Sequence, residues 1–411
     1  MRLAAVTVAI LAVVSACAGR RVVHEGRVNE DAVGAVRRGL PVLRGLDFTA
    51  SVPALALSRD EIATTVASEI EQSYPPGDLE RVERVYTRLG LLPPGTALRP
   101  ALQRLYEQEG AGFYDPRTKR LLLARSALGI GGARLGFLGF VTGRDLIGEF
   151  LVAHELTHAL QDQHYGLPTS PEPVTDAHGD RELARHALLE GDATLAGFAY
   201  LLRRPLDRDM IALIEQQLRG VPAELARKYP ELPELLRASL AFQYDEGTAF
   251  AGWALADGGW AAVDRAQADP PTSTEQVLHP ARYFATRDRP VSIALGGTEA
   301  LEAAGWRPIL EDTLGELQIR VLAARALPAD GAARVADGWG GDRLRALARG
   351  DDLVLVWMTA WDSPAEADEF AEAVPGILPG AHVERRADRV LIVLGPPPDT
   401  RAVWSRTRLT R

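Results

Sequence analysis

The stretch from Asp145 to Gly166 constrains this chain more than any other. It is a run of apolar and small side chains that begins at an Asp able to cap a helix and ends at a Gly able to stop one. In its middle stands His154-Glu155-Leu156-Thr157-His158. Residues four apart share a helix face, so both imidazoles can reach one cation while Glu155 lies beside them. A helix of this composition is buried in a folded chain, and two unpaired imidazoles inside it would be costly. Only eight His occur in 411 residues, so composition alone would give the pattern in roughly one such chain in a hundred. A divalent metal is the expected partner, and the ligand types suit Zn2+.

A hydrolytic zinc site takes three protein ligands and keeps a fourth position for water. Glu190 is the favoured third ligand. It lies on a predicted helix from Asp180 to about Arg204, whose stripe Leu183, Ala187, Glu190, Ala193 or Thr194, and Gly197 is otherwise apolar or small. Small residues allow a close approach to the His154 helix, and a lone carboxylate on a buried face needs a cation. His164 is the rival, because His154, His158 and His164 follow a metzincin-like spacing. On a continuous helix, however, His164 points roughly 80° away from His154, so it could ligate only after a sharp break near Gln161. His178, Asp180 and His186 are further alternatives. Glu155 is the candidate general base, and Asp162 or Asp180 could orient an imidazole.

The N-terminus reads as an export signal: Met1-Arg2, an apolar stretch from Leu3 to Val14, then small residues. Val14-Ser15-Ala16-Cys17 resembles a bacterial lipobox, and Cys17 is the single Cys of the sequence, without a disulfide partner in the chain. The expected product is a lipid-anchored protein of the bacterial cell envelope, with residues 1–17 as signal and 18–45 as a tether of mixed charge. Ala18 points to the outer membrane in a Gram-negative cell. A net charge of −9 leaves no basic footprint for nucleic acid.

Further along, Ser58 with Glu61 forms a capping box for a helix to about Ser73. Helices are expected at 78–89 and 99–109, and a hairpin over 111–123 around an Asp-Pro turn. A Gly-rich stretch, Gly129 to Gly143, could shape or gate a cleft. Helices are expected again at 207–219, 222–240 and 308–326, with a short one in Thr272–Pro280. The tail reads as a strand at 352–361, a helix at 364–374 and paired strands over 382–394. The fold class is therefore α+β and predominantly helical. A catalytic domain is expected over 46–285, and a C-terminal helix plus αβ domain over 286–411.

His154-Glu-Leu-Thr-His-Ala-Leu-Gln-Asp-Gln-His164 followed by Ala187-Leu-Leu-Glu-Gly-Asp-Ala193 resembles the gluzincin group of the peptidase MA clan. More narrowly, it is similar to exported bacterial and archaeal proteins that carry both blocks. Thr274-Glu-Gln-Val-Leu-His-Pro280 and Gly338-Trp-Gly-Gly-Asp342 extend that likeness over roughly residues 60–375. A thermolysin-like Glu would fall at position 178, which is His, so the likeness implies the clan and not that subclass. It implies a zincin-like fold, peptide hydrolysis by a metal-activated water, and an edge strand in the 112–124 hairpin for an extended substrate. His279, in the third block, is the candidate oxyanion donor, with Tyr244 and Tyr283 as weaker choices. The competing reading is a non-catalytic, zinc-stabilised envelope lipoprotein that binds protein partners through its C-terminal segment, whose Trp339, Trp357 and Trp361 could be either exposed or core.

Overall fold

The structure is a computed structural model that describes residues 21–109, 112–125, 144–169 and 174–410. It opens with a small hairpin, β1 (Val23–His24) and β2 (Arg27–Val28), and then a helix, α1 (Glu30–Arg44). Asn29 caps α1 by accepting the Ala32 N–H. Val33, Val36 and Leu40 are buried on one face, and Arg44 continues that face into the interior. Residues 21–44 are thus packed structure, not a tether. The pattern is hard to read because the last member of its buried face is an arginine.

Next come β3 (Ala54–Leu57), α2 (Arg59–Ser73), α3 (Asp78–Leu89), α4 (Leu98–Glu109), β4 (Gly112–Asp115) and β5 (Arg120–Ala124). The capping box forms as expected, with Ser58 and Glu61 each satisfying the other's backbone N–H. β4 and β5 make the antiparallel hairpin, and β3 adds in parallel to β5. The order β3-β5-β4 leaves β4 as an edge strand among the described residues.

The central layer is helical: α5 (Leu146–Tyr165), α6 (Gly179–Leu202), α7 (Arg208–Leu218), α8 (Val221–Lys228), α9 (Glu234–Ala268) and α10 (Thr274–Leu278). α5 starts at the Asp145 cap, which accepts the Gly148 N–H, and ends at Gly166. α6 lies between α5 and α9. Gly197 gives the Phe150 ring of α5 its seat, while Gly191 and Gly247 let the backbones of α6 and α9 touch. α9 extends far past the expected end near 240, and is two helices joined at Gly258 and Gly259, where the backbone leaves helical geometry.

The C-terminal part holds β6 (Ser292–Ala294), α11 (Glu299–Ala303), β7 (Arg307–Asp312), α12 (Gly315–Ala323), α13 (Ala329–Ala336), β8 (Trp339–Arg349), β9 (Asp352–Trp361), α14 (Pro364–Ile377), β10 (His382–Arg386), β11 (Arg389–Leu394), α15 (Thr400–Arg406) and β12 (Arg408–Thr410). Five strands form one antiparallel sheet in the order β10-β11-β9-β8-β7. The helix expected at 308–326 is a strand, β7, followed by the shorter α12. Arg307–Asp312 carries only Ile309 and Leu310 as aliphatic side chains, too few for a period to decide between helix and strand, and pairing with β8 decides it. Trp339, Trp357 and Trp361 are all buried, so none offers a docking surface. Asp342 ties this region together, accepting both the Trp339 and Trp357 indole N–H groups and the backbone N–H groups of Leu314 and Gly315. A single apolar cluster joins Ile62, Val66, Leu79 and Leu89 to Leu310, Trp339, Trp357 and Phe370, and so crosses the boundary expected near 285.

Candidate metal centre

α5 and α6 build the site. His154 and His158, one turn apart on α5, turn toward Glu190 on α6. His154 Nε2 lies 3.2 Å from His158 Nε2 and 3.1 Å from Glu190 Oε2, and His158 Nε2 lies 3.5 Å from Glu190 Oε1. A tetrahedral ion bound at about 2.0–2.1 Å separates its ligand atoms by about 3.3 Å, so these three side chains fit one face of such a coordination sphere. Among the described residues this is the one group of His, Cys, Asp or Glu side chains placed to share a metal ion.

The electrostatics agree with a cation site. Burial disfavours a charged His158, but the Glu190 carboxylate beside it more than compensates and raises its pKa to about 9. Burial likewise works against the Glu190 anion, yet the two imidazoles hold that carboxyl well below the usual range. Glu155 belongs to the same turn but has its own partner, the backbone N–H of Tyr114 on β4, 2.9 Å from Oε2. Burial pushes the Glu155 carboxyl above the usual range, against the opposing pull of His154 and His158.

The rival and supporting residues are placed elsewhere. α5 runs unbroken to Tyr165, so His164 faces away and its Nε2 meets the Asp47 carbonyl oxygen at 2.8 Å. Asp162 does not orient an imidazole; it accepts from Tyr114 Oη and Lys119 Nζ, each at 2.6 Å, and from the Leu167 N–H. Asp180 is buried against Thr274, accepting its hydroxyl at 2.5 Å, and sits inside α6 after His178 as the N-cap, not as the cap itself. His279 is engaged by both Glu316 oxygens at 3.1 Å and by Asp337, not by the triad. Tyr283 donates to the Asp269 carbonyl. Of the three oxyanion candidates it is Tyr244 that lies at the site, its ring centred 6.3 Å from that of His154. Cys17 and the 129–143 stretch fall outside the described residues.

The sequence reading missed the group behind His158. Gln161 Oε1 lies 2.8 Å from His158 Nδ1, and Gln161 Nε2 donates to Asp192, which is salt-bridged to Arg44. Two signals pointed there: Gln161 is three residues past His158 on the same face, and Asp192 is an acid inside an apolar helix. His154 has no such support, since its Nδ1 is buried without a partner among the described residues.

Residues 307–404 match the family model of a domain of unknown function, DUF8575. No curated protein and no solved structure matches the chain. The triad lies outside the matched span, so its chemistry rests on the geometry alone.

Proposed function

We propose that this chain is a zinc-dependent peptidase of gluzincin type, in which His154, His158 and Glu190 hold the metal and Glu155 is the general base. One observation carries the reading: beside the three-donor triangle stands a separate buried carboxylate with its own backbone donor. A purely structural ion has no need of that fourth group. The His2Glu donor set and its spacing favour zinc over the harder, oxygen-seeking ions. Zn2+ bound there would acidify a water and polarise the scissile carbonyl. Glu155, its proton affinity raised by burial, is suited to take a proton from that water and return it to the leaving amine. Tyr244 replaces His279 as the candidate donor to the oxyanion. The edge of β4 suits an extended peptide that pairs with main-chain groups other than the Tyr114 N–H, which Glu155 holds. Anchoring to an envelope membrane through a lipidated Cys17 is the accompanying proposal. No helix of the described residues is long and apolar enough to cross a membrane.

The test is zinc content together with cleavage of fluorescein-labelled casein. Wild type and Glu155→Gln should each carry one zinc, and the variant should lose activity by about 10²- to 10⁴-fold. Full zinc with no cleavage by the wild type would sink the peptidase reading. Glu190→Ala should release zinc and His164→Ala should keep it; the reverse would replace the third ligand. Cys17→Ser should move the protein from the detergent phase to the aqueous phase in a Triton X-114 partition, and an unchanged partition would remove the anchor.

A further inference from the structure

Gln161 offers its two amide ends to different partners, and which end goes where can be deduced. Nε2 lies 3.0 Å from the Leu189 carbonyl oxygen and 3.0 Å from Asp192 Oδ2. Both are acceptors, so the NH2 end must face them and Oε1 must face His158 Nδ1. An amide oxygen only accepts. His158 Nδ1 therefore carries a hydrogen, and in the neutral ring its lone pair is on Nε2, the atom that faces His154 and Glu190.

The amide cannot easily turn over, because Asp192 is fixed from behind. Arg44 grips it with Nε at 2.6 Å and Nη2 at 3.0 Å, and Gln267 Nε2 adds a third donor at 3.0 Å. Arg44 is itself fully buried, paired with Asp264 at 2.7 Å and stacked 4.5 Å over the Trp260 ring. With donors converging on Asp192, a flipped Gln161 would set an amide oxygen against a carboxylate and an NH2 against the Nδ1 hydrogen.

We propose that Gln161 is a positioning residue of the metal centre: anchored by the buried Arg44–Asp192 pair, it fixes the tautomer and ring orientation of His158 and so raises metal affinity. Glu190 sits on the same helix as Asp192, two residues before it, so one length of α6 supplies a ligand and also locks its neighbouring ligand. The inference rests on the metal reading of the triad and does not require peptidase activity.

The test measures zinc affinity of the full chain by competition with a chelating dye, alongside the melting temperature of the zinc-free form. Gln161→Met keeps the volume and removes both polar ends; zinc should bind about 10- to 100-fold more weakly to the folded variant. A purely structural glutamine would lower the zinc-free melting temperature and leave the affinity of the folded protein alone. Should the methionine variant fail to fold, Gln161→Asn repeats the test, since its amide can face Asp192 but falls short of His158. Wild-type zinc affinity in a folded Met or Asn variant overturns the proposal. A wild-type chain that takes up no zinc would instead overturn the metal reading beneath it.

Discussion

Asp180 shows how a residue chosen for one role can serve another. Burial pushes its carboxyl well above the ordinary range; the two hydrogen bonds from Thr274 oppose that push, and Asp342 and Glu316 nearby add to it. Because the folded value lies above the unfolded value of 3.8, its favourable contribution is complete below that pH and is lost as pH rises toward the folded value. Asp180→Asn keeps the acceptor for Thr274 and removes the titration. Its melting temperature should equal that of wild type near pH 4 and exceed it by about 2 °C or more at pH 8. A difference that does not change with pH would refute this account. His154, His158 and Glu190 could be read from the sequence because helical spacing and chemical type suffice to pair them. The pairing of Arg44 with Asp192 could not, since that contact joins positions 148 apart in the chain and follows no period.

Between elements, α6 and α9 approach to backbone contact. A Cβ at Gly191 would overlap the carbonyl oxygen of Gly247, and one at Gly247 would overlap that of Ala187. Neither obstacle is a flexible side-chain tip. Gly247→Ala should therefore destabilise the fold by about 1–3 kcal/mol in urea unfolding and reduce zinc retention, because Glu190 adjoins the point of contact. A stable variant with full zinc would show that the helices can part harmlessly. The hairpin offers a separate probe. Lys119 adopts φ 58°, a left-handed conformation that suits glycine better, and its ammonium reaches Asp162. Lys119→Gly should leave stability unchanged or slightly raised while lowering casein cleavage by several-fold, because Tyr114, which also holds Asp162, presents its N–H to Glu155. Undiminished cleavage would detach the turn from the base. Capped helices such as α2, α3 and α5 were legible because their stop signals are local. α9 was not, for its second half is rich in Gly and Ala and is held by packing against neighbours rather than by its own pattern.

For the molecule as a whole, the apolar cluster shared by α2, α3 and the C-terminal sheet decides what can stand alone. Removing residues 301–411 would expose Ile62, Val66, Ile70, Leu79, Leu89 and Leu92. Each is worth about 1.5–3 kcal/mol when buried, so together they rival the total stability of a typical domain, about 5–15 kcal/mol. A chain of residues 21–300 should show no cooperative melt by circular dichroism and should bind zinc poorly; a sharp transition would establish an independent domain. The contacts that cross the boundary expected near 285 join distant strands and helices, and no local pattern of the sequence reports them. The Arg44 anchor adds a consequence in time. Its partners extend to Asp264, so during synthesis the arginine emerges roughly 220 residues before its last partner, about 10–45 s earlier at ordinary rates of translation. Until then a charged helix end has nowhere dry to go, and the pocket behind His158 stays open. A metal bound by the proposed triad would thus find its support behind His158 complete only after about two thirds of the chain has been made.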